Sequence, residues 1–529
     1  MICEVIVDIA HSDVDKIFDY ACDFPVEAGT RVAVPFGRSA ATGFVMRVKD
    51  SSDYPAEKLK KIYRAEEDFP ALNAECLALA HTIAARYRVP MALVLRLFLP
   101  AEMRTGKVGE TYRTFARLVS DMPPAKNAPQ QAACLAFLKE NGEADAAILR
   151  KMFGAAVNAL VKKGAVALER RRVLRDPYRG VEGEYRPRAL TPAQSAAVTR
   201  VGETQKTVVL LHGVTGSGKT EIYLTLIAQA LERGQTALFL VPEISLTPQM
   251  LSQLRARFGS AAAILHSGLS AGERFDEWHR LREGTARIAI GARSAIFAPV
   301  ENVGVIVIDE EHDGSYLSES SPRYNTLDVA CLRAEYNGCK LVLGSATPSV
   351  ETYRRAKEGE FELITLPDRI NARPLPDVRI VDMRREVKRG NASPFSVALR
   401  EGLENCLREG QQAILFLNRR GFAQTVLCRD CGYVAKCEHC DVALTYHSEE
   451  NCLKCHYCGT RYKMLTACPE CGSAHIYYAG TGTQRVVGEL KKLYPSARIL
   501  RMDNDTTSGK EGHYRILKKF ADREADILV

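Results

Sequence analysis

The sequence reads Gly213-Val214-Thr215-Gly216-Ser217-Gly218-Lys219-Thr220 at the point that decides its fold, a complete GxxxxGK(S/T) pattern. An apolar strand pattern, Val208–Leu211, precedes it, and a helical pattern, Glu221–Arg233, follows it. In this context the glycines let the backbone N–H groups turn toward a phosphate group. Lys219 then reaches the β- and γ-phosphates, and the Thr220 hydroxyl holds Mg²⁺. The stretch therefore predicts a site for ATP with Mg²⁺.

Apolar strand patterns alternate with helical patterns on both sides of this loop. The first set of strand patterns is Val208–Leu211, Ala237–Val241, Val305–Ile308 and Leu341–Leu343. Apolar strands separated by helices predict a parallel sheet that is covered on both faces. A second unit of this kind begins near Asp377 and resumes near Gln484 after a cysteine-rich block, and its predicted strands are Arg379–Val381 and Ala413–Leu417.

Polar motifs follow two of these strands. Asp309-Glu310-Glu311-His312 comes directly after the strand Val303–Ile308. Asp309 at the end of a buried strand suits the Mg²⁺ shell, and Glu310 suits the base that orients an attacking water. We include His312 with them as a candidate catalytic residue.

The next strand is followed by Gly344-Ser345-Ala346-Thr347-Pro348, whose small and hydroxyl residues can couple a nucleotide site to a DNA groove. Upstream, Gln194 ends the stretch Leu190-Thr191-Pro192-Ala193-Gln194, where a glutamine is placed to read the edge of adenine. The candidate ATP-binding residues are thus Gln194 and residues 213–220.

Nine of the sixteen cysteines lie between Cys428 and Cys471. They include four CxxC pairs in a row, Cys428/Cys431, Cys437/Cys440, Cys455/Cys458 and Cys468/Cys471. Each CxxC turn presents two sulfurs to one ion, so these eight thiolates predict two tetrahedral Zn²⁺ sites. The spacing does not fix which pair joins which. Cys452 forms a further CxxC with Cys455, and we interpret it as a non-ligand.

The composition is that of an ordinary globular protein, with 46% hydrophobic and 26% charged residues. The formal net charge is +8, and seven arginines stand against four acids between Leu168 and Leu190. That stretch is either a phosphate-contacting surface or a solvated linker, and the sequence leaves both open. We find no signal peptide and no apolar stretch of membrane-spanning length, so we expect a cytoplasmic protein whose clustered thiols bind metal.

The N-terminal part has a different texture. Short β patterns fill the first hundred residues and lead to a helical pattern at Ala74–Tyr87. After the Pro-rich segment Asp121–Pro129, three short helical patterns follow, and the last, Gly154–Lys163, runs into the strand Ala165–Leu168. Three helices and a hairpin predict a winged-helix unit, a common DNA-binding form, and a plain helical spacer is the alternative.

The order of the phosphate loop, the DExH motif and the SAT motif resembles the superfamily 2 helicases. The segments between them resemble one family in particular, the PriA replication-restart helicases, also called primosomal protein N′. These segments are VPEISLTPQ at 241–249, HSGLS at 266–270, GARSAIFAP at 291–299 and FLNRRG at 416–421. The resemblance extends from the N-terminus to Val529. It implies an ATP-dependent 3′→5′ DNA helicase that recognises stalled or abandoned replication forks and initiates primosome assembly.

The resemblance also implies contacts with DNA. Residues 313–324 resemble an aromatic-rich loop that couples DNA contact to hydrolysis, with tyrosines that stack on bases and an arginine that contacts phosphate or base. The N-terminal unit resembles a domain for the 3′ end of a leading strand, in which Asp19 accepts a hydrogen bond from the 3′-hydroxyl. The implied DNA-binding residues are Phe18, Asp19, Tyr20, Gly37, Lys60, Arg293, Tyr316, Arg323 and Tyr324.

The family further implies a nested arrangement of the metal ligands and a set of partners. One zinc ion would be held by Cys428, Cys431, Cys468 and Cys471, and the other by Cys437, Cys440, Cys455 and Cys458. The partners would be branched and single-stranded DNA, the primosome proteins and a single-stranded-DNA-binding protein, with no membrane. We expect a monomer.

The fold class expected from all of this is multidomain α/β. It comprises two RecA-like helicase lobes, the second incomplete, an N-terminal β-rich DNA-binding domain, a winged-helix domain and a zinc-binding cysteine-rich insertion. The expected divisions are 1–104 for the 3′-end domain, 105–186 for the winged helix and basic linker, 187–370 for lobe 1, 371–427 for the first part of lobe 2, 428–478 for the cysteine-rich region and 479–529 for the rest of lobe 2.

The end of the sequence leaves alternatives open. Residues Ala525–Val529 read as the start of a buried strand, and in the family the arginines that touch the γ-phosphate follow it. We therefore expect the chain to support ATP binding better than turnover, and it could act only as an ATP- and DNA-binding module. A superfamily 2 translocase unrelated to restart is the other alternative, and it would lack the N-terminal 3′-end pocket.

Overall fold

The computed structural model describes most of the chain, in two compact units, residues 1–373 and 374–529. The described residues are 1–106, 108–120, 127–175, 189–242, 248–370, 374, 376–391, 393–417, 425–447, 452–479, 483–503, 506–507 and 512–529. Parts of two segments that resemble the PriA family, residues 243–247 and 418–421, lie outside the described residues. None of the helices searched in the described part has the length and apolar character to cross a membrane.

The first unit begins with an antiparallel sheet in the order β2-β1-β4-β3-β5. Its strands are β1 (Ile2–Val7), β2 (Ile17–Ala21), β3 (Arg31–Phe36), β4 (Ser39–Lys49) and β5 (Arg64–Ala65). The inward residues of β1, β3 and β4 close a core of their own, centred on Val5, Val32 and Val45. The two-residue turn between β3 and β4 needs a positive φ at its first position, and Gly37 supplies it with a φ of 60°.

Three helices follow this sheet, α1 (Ala74–Tyr87), α2 (Met91–Leu95) and α3 (Ala101–Thr105). The bounds of α1 are those predicted from the sequence. Its apolar residues share one hydrophobic core with a face of the parallel sheet described below. The N-terminal sheet is thereby joined to the rest of the unit by a packed contact.

The next elements are β6 (Tyr112–Leu118), α4 (Pro129–Asn141), β7 (Glu143–Asp145), α5 (Ala146–Phe153), α6 (Ala156–Lys162) and β8 (Val166–Arg172). The three helices stand where the sequence predicted them. The expected hairpin after the third helix is not what completes the sheet among the described residues, whose order is β7-β6-β8. The central strand β6 comes from before the first helix, and such a long-range partner cannot be read from local patterns.

The largest element is a parallel sheet in the order β11-β12-β10-β13-β14-β9-β15. Its strands are β9 (Val208–Gly213), β10 (Thr236–Leu240), β11 (Ala262–Leu265), β12 (Ile288–Gly291), β13 (Val303–Asp309), β14 (Lys340–Ser345) and β15 (Glu362–Leu366). Its helices are α7 (Pro192–Glu203), α8 (Lys219–Glu232), α9 (Pro248–Phe258), α10 (Ala271–Arg282), α11 (Thr326–Asn337) and α12 (Val350–Lys357).

Successive residues of each strand in this sheet belong to opposite cores. On β13, Ile306 and Ile308 face one core, whereas Val305 and Val307 face the other. Side chains alternate between the faces of a strand, so a strand that is apolar throughout must be covered on both. The predicted two-sided parallel sheet is confirmed.

The second unit contains a short parallel sheet in the order β16-β23-β22 and an antiparallel sheet in the order β20-β19-β18-β17-β21. Its helices are α13 (Met383–Lys388), α14 (Val397–Arg408), α15 (Thr483–Leu493) and α16 (Gly512–Ala521). Its strands are β16 (Ala413–Ile414), β17 (Thr425–Cys428), β18 (Thr445–His447), β19 (Cys452–Lys454), β20 (Arg461–Tyr462), β21 (Ile476–Ala479), β22 (Ile499–Leu500) and β23 (Ile527–Leu528).

One predicted strand of this unit is wrong. Residues 379–381 form no strand, and Ile380 is 93% exposed. Alternating apolar residues make a strand only when another strand pairs with them, and no described strand lies beside this segment. The predicted strand Ala413–Leu417 is present in shortened form as β16.

A fully buried ion pair joins α1 to α11. Arg333 is 0% exposed, and its Nε donates to Glu75 Oε1 at 2.6 Å. Its Nη1 donates to the carbonyl oxygens of Ile296 at 2.7 Å and Ala298 at 3.0 Å. The guanidinium is thus paired with a carboxylate and also hydrogen-bonded to two backbone carbonyl groups. A buried charge is tolerated when its partners are arranged in this way.

We predict that Arg333→Met destabilises the first unit by about 3–5 kcal/mol, because it leaves the Glu75 carboxylate buried without its cation. The measurement is urea unfolding followed by the fluorescence of Trp278, the single tryptophan, which is buried in this unit. Arg354→Met is the matched control, since Arg354 pairs with Glu358 on the surface, and it should change the free energy of unfolding by about 1 kcal/mol or less. Equal midpoints for the two variants would contradict the prediction.

Candidate functional site

The phosphate loop connects β9 to α8, as the sequence predicted. Gly216 and Gly218 have φ angles of 85° and 79°, a backbone region that favours glycine. Lys219 begins the helix and is buried, with its Nζ donating to the carbonyl oxygen of Gly213 at 2.8 Å. The N-terminus of the 14-residue helix α8 and a buried ammonium group thus meet at the loop, an arrangement that favours an anion.

Gln194 lies against the same loop. It sits in the first turn of α7, where Thr191 and Gln194 form a capping box. Its Nε2 donates to the carbonyl oxygen of Ser217 at 3.1 Å. The side chain therefore supports the loop in this structure, while the predicted contact with adenine stays a prediction.

Asp309 ends β13 beside the loop, and its carboxylate is held by a tyrosine of α8. The Tyr223 hydroxyl donates to Asp309 Oδ1 at 3.0 Å, and the Tyr316 hydroxyl donates to the Asp309 carbonyl oxygen at 2.7 Å. Burial, and after it the charge of Glu310, raises the pKa of Asp309, and the hydrogen bond from Tyr223 and the charge of Lys219 oppose that rise. A nearby cation would lower this pKa and favour the ionised carboxylate, as expected of a magnesium ligand.

Gly344 makes room for this tyrosine. A Cβ atom added at Gly344 would lie 1.6 Å from the Tyr223 hydroxyl oxygen. Gly344 is opposite Asp309 in the parallel register of β13 and β14. Only a residue without a side chain fits between the hydroxyl and β14.

The remaining residues of the DExH motif connect to the SAT motif. Glu310 has a φ of 45°, in the left-handed region. His312 Nδ1 lies 2.8 Å from Ser345 Oγ and 3.7 Å from Glu310 Oε2, and His312 Nε2 lies 3.5 Å from Thr347 Oγ1. The structure thus joins His312 to the SAT hydroxyls by hydrogen bonds at the carboxyl ends of β13 and β14, with the Glu310 carboxylate beside the imidazole.

These residues fit a nucleotide with Mg²⁺. Ser217 Oγ is buried on the phosphate loop without a hydrogen-bond partner among the described residues. Burial of a hydroxyl group without a hydrogen-bond partner costs free energy. A phosphate oxygen bound in this loop would supply the missing acceptor. The loop with Lys219 and Thr220 would hold the phosphates, and Thr220 with Asp309 would hold the cation.

The loop after the DExH motif does not present its tyrosines to solvent. Tyr316 and Tyr324 are 4% and 5% exposed, and both belong to the core between α1 and α11. Arg293 donates to the Leu317 carbonyl oxygen and lies over the Tyr324 ring, with 5.8 Å between its Cζ and the ring centroid. Neither ring is free for base stacking in this conformation, because both fill hydrophobic core. Arg323 is exposed.

The N-terminal sheet carries a cavity of about 610 Å³. All five predicted residues of the 3′-end pocket line it, together with others: Ile17, Phe18, Asp19, Tyr20, Pro35, Phe36, Gly37, Ser52, Asp53, Tyr54, Lys58 and Lys60. Phe18 and Phe36 meet edge to face, with ring centroids 5.4 Å apart. Tyr20 is almost wholly buried and donates to the Pro35 carbonyl oxygen at 3.2 Å, so it supports the cavity wall from the core.

Asp19 is held by two residues that the sequence did not single out. Lys49 Nζ lies 2.9 Å from Asp19 Oδ2, and Ser52 donates to the same oxygen. Burial alone would raise the pKa of Asp19, but the hydrogen bonds from Lys49 and Ser52 outweigh it and hold that pKa below its usual value. Asp19 is therefore ionised near neutral pH and can act as an acceptor.

Three of the four arginines in the described part of the basic stretch pair with acids, and the fourth, Arg170, lies over the Tyr112 ring. Arg171 pairs with Glu143 and Glu169, and Arg172 Nη1 lies 2.6 Å from Glu283 Oε1. Arg175 Nε lies 2.7 Å from Asp276 Oδ2. These contacts fix the segment after β8 against α10 and favour the linker interpretation. Three further arginines of the stretch, at 179, 186 and 188, lie outside the described residues.

The cysteines form two groups, as the family resemblance implied. The first contains Cys428, Cys431, Cys468 and Cys471, and the second contains Cys437, Cys440, Cys455 and Cys458. Sulfur–sulfur distances are 3.6 Å for Cys428 and Cys471 and 3.6 Å for Cys437 and Cys458. A tetrahedral ion with bonds of about 2.3 Å requires about 3.8 Å between sulfurs, so both groups fit zinc.

A second layer supports the second cysteine group. The Tyr462 hydroxyl lies 3.2 Å from Cys437 Sγ and accepts from the Glu438 N–H at 3.1 Å. Thr460 Oγ1 lies 3.1 Å from Cys458 Sγ. Sequence reasoning missed Tyr462, Tyr223 and Lys49, since their partners are distant in sequence and no spacing rule connects them. It also missed Thr460, which lies two positions after its partner Cys458, because no spacing rule singles out a threonine there.

Three family models match the chain, each over one part of it. A "3'DNA-binding domain (3'BD)" of PriA matches residues 4–100, a "DEAD/DEAH box helicase" matches residues 191–356, and a "PriA DNA helicase Cys-rich region (CRR) domain" matches residues 437–462. The three matches fall on the N-terminal sheet, the parallel sheet and the second cysteine group.

Several curated proteins similar to this chain are named replication restart protein PriA. The Bacillus subtilis protein is 41% identical, over 99% of this chain and 75% of its own length. The Synechocystis protein is 44% identical, over 77% of this chain and 51% of its own length. The Chlamydia muridarum protein is 34% identical, over 98% of this chain and 73% of its own length.

We predict that the protein binds about two zinc ions per chain and that Cys437→Ser reduces the content to about one, because a tetrahedral site rarely keeps its ion with three sulfurs. The measurement is elemental analysis of reduced, unchelated protein. Cys452→Ser is the matched control and should keep both ions. Trp278 fluorescence should report unchanged melting of the first unit. A metal content near zero in the wild type, or equal losses in both variants, would contradict the assignment.

Proposed function

This chain belongs to the PriA family of replication restart proteins, and we propose on that basis that it acts as an ATP-dependent DNA helicase of replication restart. The observation that carries the proposal is the group at the carboxyl edge of the parallel sheet. The phosphate loop, Asp309 with Glu310, and the pair His312–Ser345 lie together there. Phosphate loops occur in many enzymes. A nucleic-acid motor also needs contacts that connect the phosphate loop and the DExH motif to the SAT motif, and these are the contacts found here.

The residues of this edge divide the work of hydrolysis. Lys219 exchanges its bond to the Gly213 carbonyl for a phosphate oxygen, and the loop N–H groups orient the phosphates. Mg²⁺ bound with ATP supplies neutralisation of the phosphate charge. Asp309 and Thr220 orient that cation, and Glu310 accepts a hydrogen bond from the attacking water and aligns it.

A chain of contacts leads from this edge toward the DNA-binding loop. Tyr316 donates to the Asp309 carbonyl oxygen, and Arg293 holds the Leu317 carbonyl oxygen. A shift of the loop on DNA therefore moves the backbone that carries Asp309. We propose that DNA frees Tyr316 and Tyr324 for contact with bases, and that the exposed Arg323 contacts phosphate or base.

The N-terminal cavity is our proposed site for the 3′ end of a leading strand. Asp19 Oδ2 is occupied by Lys49 and Ser52, which leaves the other carboxylate oxygen, Oδ1, to accept a hydrogen bond from a 3′-hydroxyl. Phe18 and Gly37 offer a ring and open space for the base, and Lys60 offers a cation for phosphate. The cavity supports a restart protein over an unrelated superfamily 2 translocase, which would have no use for it.

The finer parts of the function follow the family and are proposals as well. They are unwinding in the 3′→5′ direction, recognition of stalled or abandoned forks, loading of primosome proteins, contact with a single-stranded-DNA-binding protein, action as a monomer in the cytoplasm, and zinc as the ion of both cysteine groups. We also propose the domain divisions expected from the sequence. The core of the N-terminal sheet, between Cys3 and Ile62, supports the first division, and the separate core between Ala116 and Val166 supports the second.

We predict that Lys219→Ala abolishes fork-stimulated ATP hydrolysis, by about a hundredfold or more, and leaves fork binding nearly unchanged. The measurements are phosphate release and fork binding at one fixed salt concentration. Lys357→Ala, an exposed lysine of α12, is the control and should behave as the wild type. Wild-type protein that binds ATP and forks yet releases no phosphate would reduce the function to a binding module. Hydrolysis by Lys219→Ala at the wild-type rate would overturn the phosphate-loop assignment.

We predict that the protein prefers a fork with a 3′-hydroxyl leading-strand end over one that ends in a 3′-phosphate, and that Asp19→Ala removes the preference. A charge-assisted hydrogen bond contributes roughly 1.5–3 kcal/mol, or about ten- to a hundredfold in affinity. The measurement is the dissociation constant of each fork. Asp23→Ala, an exposed acid of the same sheet that pairs with Lys61, is the control and should keep the preference. Equal constants for both forks in the wild type would rule the pocket out.

A further inference from the structure

The segment that follows β15 lies on the phosphate loop. The Val214 N–H donates to the Leu366 carbonyl oxygen at 3.1 Å, and the Ile370 N–H donates to the Gly216 carbonyl oxygen at 3.0 Å. These two backbone bonds hold residues 366–370 against the loop at both ends. The segment is therefore a second wall of the nucleotide site.

The side chains of this wall cover the loop glycines. A Cβ atom added at Gly216 would lie 3.8 Å from Arg369 Cγ and 3.9 Å from Arg369 Cδ. A Cβ atom added at Gly218 would lie 2.5 Å from Ile370 Cδ1. The Arg369 stem thus runs over Gly216, at one of the two glycines of the phosphate loop with a positive φ.

Arg369 has no anionic partner among the described residues. Its Nε is buried and makes no hydrogen bond there. A half-buried cation normally has a carboxylate beside it, as Arg175 has in Asp276. Ser217 Oγ, two residues along the loop from the start of α8, is buried without a partner among the described residues as well. One donor of the phosphate loop and one donor of its outer wall are therefore unused.

We propose that Arg369 is a nucleotide-binding residue whose guanidinium pairs with a phosphate oxygen of the bound ATP. The proposal rests on the proposed function, because it takes ATP as the ligand of the phosphate loop. Lys219 approaches the phosphates from inside the loop, whereas Arg369 approaches from the outer wall. An arginine on this wall adds planar, forked donors that a single ammonium group cannot supply.

Stacking of the guanidinium on the base is the competing role for Arg369. The contacts favour a phosphate partner, because the Arg369 stem packs on Gly216 at the bend of the loop. The predicted adenine contact, Gln194, lies instead at Gly218. The two roles differ in measurable ways. The affinity from a phosphate contact falls as salt is added and rises with the number of phosphates on the nucleotide. The affinity from a base contact is already present in adenosine, which has no phosphate.

The experiment measures binding of fluorescent mant-ATP, mant-ADP and mant-AMP, and competition by adenosine, with Mg²⁺ and at two salt concentrations. The proteins are wild type, Arg369→Gln, Arg369→Lys and the surface control Arg354→Gln. Arg369→Gln should weaken mant-ATP binding about tenfold, as expected for loss of one charge-assisted pair, and should reduce its salt dependence. Arg369→Lys should recover most of the affinity, and adenosine competition should not change. Melting followed by Trp278 fluorescence shows that the variants are folded.

Each alternative outcome has a separate meaning. Wild-type affinity for mant-ATP in Arg369→Gln overturns the proposal, and the proposed function stands because the protein still binds the nucleotide. Equal losses for ATP and adenosine, without recovery in Arg369→Lys, also overturn it and assign the side chain to the base. Absence of nucleotide binding in the wild type would instead refute the proposed function.

Discussion

The carboxyl ends of β9, β13 and β14 meet at one edge of a parallel sheet, and the nucleotide site depends on this geometric constraint. Parallel pairing aligns Asp309 with Gly344 and Ser345 with His212. The phosphate loop, the DExH motif and the SAT motif are far apart in sequence, but each follows a strand that ends at this edge. The register of the sheet places these motifs side by side, and the polar contacts among them follow from that placement.

Buried polar groups then connect this edge to the N-terminal half of the first unit. Arg333 ties α1 to the loop that holds Ile296 and Ala298. Tyr316 and Tyr324 pack in the hydrophobic core to which α1 and α11 also contribute. A rigid link of this kind means that a ligand in the N-terminal cavity and a ligand at the sheet edge act on one packed body, so their effects need not be carried by a flexible linker.

Local chemistry explains what the sequence was able to predict. The bounds of α1, the phosphate loop before α8 and the CxxC pairs follow from caps, glycines and short spacings, which act within a few residues, whereas the grouping of those pairs came from the family resemblance. The features that were missed or wrong depend on distant partners. Tyr223 meets Asp309 across 86 positions, β6 pairs with a strand that follows three helices, and Arg379–Val381 has the pattern of a strand but no described neighbour. Tyr316 reads as a loop aromatic, and only the packed structure shows that it is core.

The contact between Tyr223 and Gly344 restricts how this site can evolve. A methyl group at position 344 would overlap the hydroxyl oxygen and also come within 2.6 Å of the ring carbon Cζ that bears it, so even phenylalanine at 223 would not relieve the clash. A lineage that gains a side chain at 344 must first lose the aromatic ring at 223, and with it the hydrogen bond to Asp309. The two positions are therefore epistatic, and the path between their alternative states passes through an intermediate in which Asp309 lacks the hydrogen bond from Tyr223. Selection on ATP use would keep the pair together over long divergence.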